Sequence, residues 1–102
     1  MSTHQEYLLT LNVPPSLEEA VVDCLLMLES EHGFSSLPVN AHHHQNQGLS
    51  LAEQVSGSQK KIRFQMYVDA TGLAKLLNQL KQELAGAGIQ YWVTPVVEKG
   101  VI

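Results

Sequence analysis

Apolar residues along this chain follow two rhythms. Residues 61–69, KIRFQMYVD, alternate Ile62, Phe64, Met66 and Val68 with Arg63, Gln65 and Tyr67, the two-residue period of a strand with one face in a core. QEYLLTLNV at 5–13 does the same, with Tyr7, Leu9, Leu11 and Val13 set against Glu6, Leu8, Thr10 and Asn12. Leu17, Val21, Cys24, Leu25 and Leu28 recur instead at helical spacing, as do Leu73, Leu76, Leu77, Leu80 and Leu84. These patterns predict helices over 17–31 and 73–84.

The punctuation between them agrees. Pro14 and Pro15 stop the first strand, and Ser16 with Glu19 three residues on forms a capping box, which satisfies exposed N–H groups at a helix start. Gly33 is placed to end that helix in a left-handed conformation. Asp69 or Thr71 can cap the second helix, and Gly86 or Gly88 can terminate it. Two weaker strands read FSSLPVN at 34–40 and IQYWVTPVV at 89–97. Their prolines, Pro38 and Pro95, cannot donate to a ladder and so mark sheet edges. A second capping box, Ser50 with Glu53, suggests a helical turn at 51–55 inside a long loop over 40–57.

The order β-α-β-β-α-β predicts an α+β fold, the ferredoxin-like sandwich with two helices on one face of a four-stranded antiparallel sheet. The face left bare would carry Leu8, Thr10, Gln65, Tyr67, Trp92 and Thr94. That set is too apolar for water alone and too mixed for a second helix layer, which predicts self-association through the sheet, with Trp92 as a subunit contact.

At 102 residues the chain is read as a single domain over 1–102. Charged residues make up 16% of it, below the usual quarter or so, which again favours a surface partly covered by a partner subunit. Six basic against ten acidic residues give a net charge of −4, and nucleic-acid binding, which draws on clustered cations, is not expected. Base stacking on the sheet is disfavoured as well, because Phe64 and Tyr67 fall on opposite faces. No run approaches the roughly 18 apolar residues of a membrane span, and MSTHQEYLL lacks a signal-peptide pattern. The expectation is a cytoplasmic protein with no membrane insertion, in which the single Cys24 is a small core residue.

Candidate chemistry concentrates in NAHHHQNQG at 40–48. His42, His43 and His44 supply imidazole nitrogens suited to Cu, Ni or Zn. In an extended segment His42 and His44 fall on one side and His43 on the other, so a closed site needs Glu53, His32 or a second chain. A solvated polar loop is the alternative reading. Lys60, Lys61 and Arg63 cluster where the loop rejoins its strand and, with Lys99, could hold a phosphate-like anion. A merely solvated strand end stays open there too. The AGAG run at 85–88 lacks the lysine and the strand-loop-helix order of a phosphate loop.

The strand KKIRFQMYV emerging from a long loop after an LPV strand resembles the PII-like signal-transduction family. GFSSLPV, LSLAEQVSGSQKKIRFQMYV and YWVTPVVEKG are similar, more narrowly, to an uncharacterised PII-like bacterial family associated with heavy-metal efflux systems. The resemblance covers nearly the whole chain. It implies a homotrimer of ferredoxin-like protomers whose 40–57 segment stands in place of the family's T-loop, the segment that touches partners and folds according to the bound ligand. It implies a non-enzymatic regulator or sensor, responsive to a small ligand or metal ion, with an efflux component as partner. The classical ATP site does not carry over, because AGAG stands where PII proteins insert a glycine-rich, lysine-containing loop, and no tyrosine lies between Asn40 and Gly57 for modification. The alternative is a small ferredoxin-like enzyme. An acyl-phosphate hydrolase would need an arginine after the first strand, where Pro14, Pro15 and Ser16 stand, and a cofactor-free monooxygenase would need a histidine in a roomy pocket.

Overall fold

The computed structural model describes residues 5–28, 33–42 and 58–102. Strand β1 is Glu6–Val13, helix α1 is Glu18–Met27 after a 3-10 turn at Pro15–Leu17, and β2 is Phe34–His42. Then come β3, Ser58–Asp69, helix α2, Ala70–Leu84, and β4, Gln90–Pro95. The sheet order is β2-β3-β1-β4 and every pairing is antiparallel. This is the ferredoxin-like α+β arrangement that the sequence pattern predicts.

The alternation of β1 and β3 builds the core. Leu9, Leu11 and Val13 pair across the sheet with Met66, Phe64 and Ile62, so their side chains share one face. Val21, Cys24 and Leu25 of α1 and Leu76 and Leu80 of α2 pack onto that face in a single buried cluster. Both prolines stand on edge strands, as their missing N–H requires.

Several local expectations are corrected. Helix α1 is shorter than 17–31: Leu28 is already extended (φ −88°, ψ 117°). The Ser16–Glu19 capping box does not form, because Pro15 at the first position starts a 3-10 turn, and Leu17 N–H donates to Pro14 O at 2.9 Å instead. Asp69 does cap α2, its Oδ1 accepting from Gly72 N–H at 2.7 Å. Gly86, just past the end of α2, has positive φ as expected of a helix terminator, and so does Gly88. Gly33 has positive φ too, but α1 ends at Met27 and Gly33 stands directly before β2, so it does not cap that helix. Strand β3 begins three residues before the predicted 61, and β2 runs two beyond the predicted 40. The predicted helical turn at 51–55 lies outside the described residues.

This packing makes a direct prediction. Phe64→Ala, at 1% exposure, should lower the unfolding free energy in urea by about 3–5 kcal/mol. Leu26→Ala, at 66% exposure, should change it by less than about 1 kcal/mol.

Candidate functional site

The β2–β3 pair is longer than the rest of the sheet. Strand β1 pairs with β3 only from Asp69 to Ile62, whereas β2 continues along β3 through Val39↔Lys61, Asn40↔Lys60, Ala41↔Gln59 and His42↔Ser58. The last four pairs form a two-stranded arm beyond β1 that runs to His42 and Ser58. His42, exposed at the end of β2, is the one metal-ligand candidate among the described residues; His43, His44 and Glu53 lie outside them. No group of three His, Cys, Asp or Glu side chains converges among the described residues.

Strand alternation divides the three cations at the arm's base. Lys60 shares a face with His42, the face that carries the helices farther along, whereas Lys61 and Arg63 share the opposite face. Lys60 is exposed and Lys61 is nine-tenths buried. Only Lys61 and Arg63 are therefore positioned to act together on one side of the sheet.

Arg63 reaches across the sheet. Its Nε donates to Asn12 Oδ1 at 2.9 Å, and its guanidinium lies 5.3 Å from the ring centroid of Trp92. An arginine on β3 thus meets a tryptophan on β4 above the central strand. Beneath them Thr10 and Asn12 are 3% and 7% exposed, although they point away from both helices. The pattern of the sequence leaves this face bare; the fold partly roofs it. Asn12 escapes a reading of the sequence because its only signal is its position opposite Arg63, which requires the strand register. Trp92, Tyr67 and Leu37 stay 41%, 40% and 43% exposed, so apolar area remains on the same face.

At the other end of that face Lys99 pairs with Glu6 Oε2 at 2.7 Å, supplying the partner of an otherwise unbonded buried oxygen, and lies 5.1 Å from the Tyr67 ring centroid. Lys99 therefore does not join Lys60, Lys61 and Arg63. Cys24, 2% exposed, donates to Glu83 Oε2 at 3.3 Å. Burial, reinforced by the hydrogen bond and the negative charge of Glu83, pushes its thiol up to about 11. That is the reverse of what an activated nucleophile needs. No helix among the described residues is long and apolar enough to cross a membrane.

The family described as "Protein of unknown function (DUF3240)" matches residues 3–102. No curated protein matches the sequence. Among solved structures, a DUF3240 family protein from Shewanella baltica is 25% identical, with a TM-score of 0.77 over 100% of this chain and 99% of that one. A putative PII-like signaling protein from Thermus thermophilus is 18% identical, with a TM-score of 0.66 over 90% of this chain and 87% of that one. Arabidopsis thaliana PII bound to citrate is 15% identical, with a TM-score of 0.65 over 90% of this chain and 78% of that one. At these identities the two PII likenesses establish a shared PII-like fold.

The Cys24 environment sets a pH dependence. The thiol keeps its proton to about pH 11 in the folded chain, against 9.0 as its ordinary value, so between those values the unfolded state binds fewer protons. Unfolding free energy should therefore fall as pH rises from about 9 to 11. Cys24→Ala should lack that component when both proteins are followed by urea denaturation across this range.

Proposed function

We propose a function from one premise: the chain belongs to the DUF3240 family. It is a non-enzymatic PII-like regulator, a trimer whose 40–57 segment responds to a metal ion or small anion and thereby changes its contact with a partner protein. The observation that carries this reading is the two-stranded arm, in which β2 continues along β3, the strand between β1 and β2, past the end of β1 as far as the pair His42↔Ser58. In this reading the ligand acts on the segment that follows His42 and precedes Ser58, apart from the buried core of β1, β3, α1 and α2. Its equilibrium shifts only as far as a ligand binds one of its states better than the other.

His42, His43 and His44, with Glu53, are the proposed ligands of Cu, Ni or Zn. Lys61 and Arg63, with Lys60 across the strand, are the proposed anion contacts, and a carboxylate such as the citrate bound by the Arabidopsis protein suits their charge. The partner we propose is a component of a heavy-metal efflux system, a reading that the histidine run supports chemically. The exposed Trp92, Tyr67 and Leu37 support assembly through the sheet face.

Calorimetric titration of Cu, Ni and Zn should show binding at micromolar metal in the wild type. Binding should be lost in the His42→Ala/His43→Ala/His44→Ala variant and weaken as the pH is lowered, because protons compete with the metal for imidazole nitrogen. Equal binding by both proteins, or none by either, would remove the metal role and leave the citrate-type anion as the ligand to titrate. Light scattering should give a trimer mass that falls in Trp92→Glu, which puts a charge into a desolvated contact. A monomeric wild type would overturn the assembly, and an unchanged mass in Trp92→Glu would take that side chain out of the contact.

A further inference from the structure

Helix α1 carries two apolar stripes where packing on the sheet needs one. Val21, Cys24 and Leu25 are buried in the core. Glu19, Val22, Asp23 and Leu26 recur at the same helical spacing down the opposite side, with Met27 next to Leu26. Leu26 and Met27 are 66% and 69% exposed, so the last turn of α1 is apolar all round, the composition of a helix covered on both sides. Helix α2 is built otherwise: its exposed residues include Lys75, Asn78, Lys81 and Gln82, and its leucines pack inward. We propose that the outer face of α1 docks a basic amphipathic helix of a partner protein.

Charge identifies the occupant. Glu18, Glu19 and Asp23 are exposed, α1 contains no basic residue, and none of the three has an ion-pair partner among the described residues. Glu18 and Glu19 stand in the first turn, where they also offset the positive end of the helix dipole. Asp23 lies beyond that turn, so the dipole does not account for it. It neighbours Leu26 and Met27 on the helix surface, and with Glu18, Glu19 and Val22 it lines a shallow hollow of about 390 Å³.

Carboxylates therefore occupy the first half of this face and aliphatic side chains the second. A partner helix running antiparallel would set its apolar first turns on Val22, Leu26 and Met27. Its C-terminal Lys or Arg side chains would reach the carboxylates, and cations at that end suit its own dipole as well. Helix α1 has ten residues, about 15 Å, enough for a contact of about three turns. No helix of this chain among the described residues offers the complementary pattern, because α1 lacks cations and the leucines of α2 are turned away from Lys75 and Lys81. The helix layer is opposite the sheet face proposed for assembly, so each copy in an assembly presents its own α1, and the contact is independent of the arm.

The test uses the full chain and a fluorescein-labelled synthetic peptide of about 18 residues, long enough to populate a helix, with leucine and alanine in its first half and lysine among them in its second. Fluorescence anisotropy should show saturable binding to the wild type at micromolar protein. Leu26→Gln/Met27→Gln should raise Kd by at least about tenfold through lost apolar burial, as should Glu19→Lys/Asp23→Lys through reversed charge, all at the wild-type urea midpoint. A peptide with glutamate in place of lysine should bind Glu19→Lys/Asp23→Lys and not the wild type. The His42→Ala/His43→Ala/His44→Ala variant should bind the lysine peptide as the wild type does, and its loss there would overturn the proposal by moving the site to the arm. No saturable binding would overturn it, and so would binding that the charge variant weakens but Leu26→Gln/Met27→Gln leaves unchanged, which is diffuse charge attraction. A larger mass by light scattering for the wild type than for Leu26→Gln/Met27→Gln would overturn it by giving the face to a second copy.

Discussion

The two-sidedness of β1 and β3 is the constraint on which the rest of this structure depends. Both strands lie inside the sheet and each must serve two faces. The register that sets Leu11 opposite Phe64 also sets Asn12 opposite Arg63. A slip of one residue would exchange the faces, placing Asn12 and Arg63 under the helices and the core leucines outside. Burial of Leu9, Leu11, Val13, Phe64, Met66 and Val68 against α1 and α2 fixes the register. The arrangement of the opposite face is then a consequence rather than a separate choice.

That consequence separates the molecule into regions with different work. Above the central strand, the Arg63 side chain bonds Asn12 and stacks on Trp92, tying β3, β1 and β4 together on the face that no helix covers. Beyond the end of β1, β2 and β3 continue alone, and there stand the exposed His42 and the cations Lys60 and Lys61. Arg63 belongs to both regions, one strand residue from the last β1 pair and in contact with Trp92. A change in the arm has a physical route through this side chain to the face proposed for assembly.

Most of the fold was legible because the chain writes it in periods. The alternation of 61–69 and the leucine spacing of 73–84 identify β3 and α2, and Pro38 and Pro95 correctly mark the edge strands. Ends were less legible. Pro15 converted a predicted capping box into a 3-10 turn, and Leu28 turned extended where apolar spacing alone would have continued the helix. The candidate site was legible as composition but not as geometry. Lys60, Lys61 and Arg63 look like one cluster on paper, yet alternation sends Lys60 to the other face, and Arg63 is engaged by Asn12 and Trp92 from strands distant in sequence. No local pattern encodes a contact between residues 51 positions apart.

The arm is the centre of this account, and mapping backbone amide shifts by NMR during titration with Cu, Ni or Zn tests it most directly. Using diamagnetic Zn first, the account predicts shifts concentrated at residues 39–42 and 58–61, extending to Arg63 and Trp92 and leaving the α1 amides unmoved. Shifts that centre on α1 or the α2–β4 turn while the arm stays silent would contradict it.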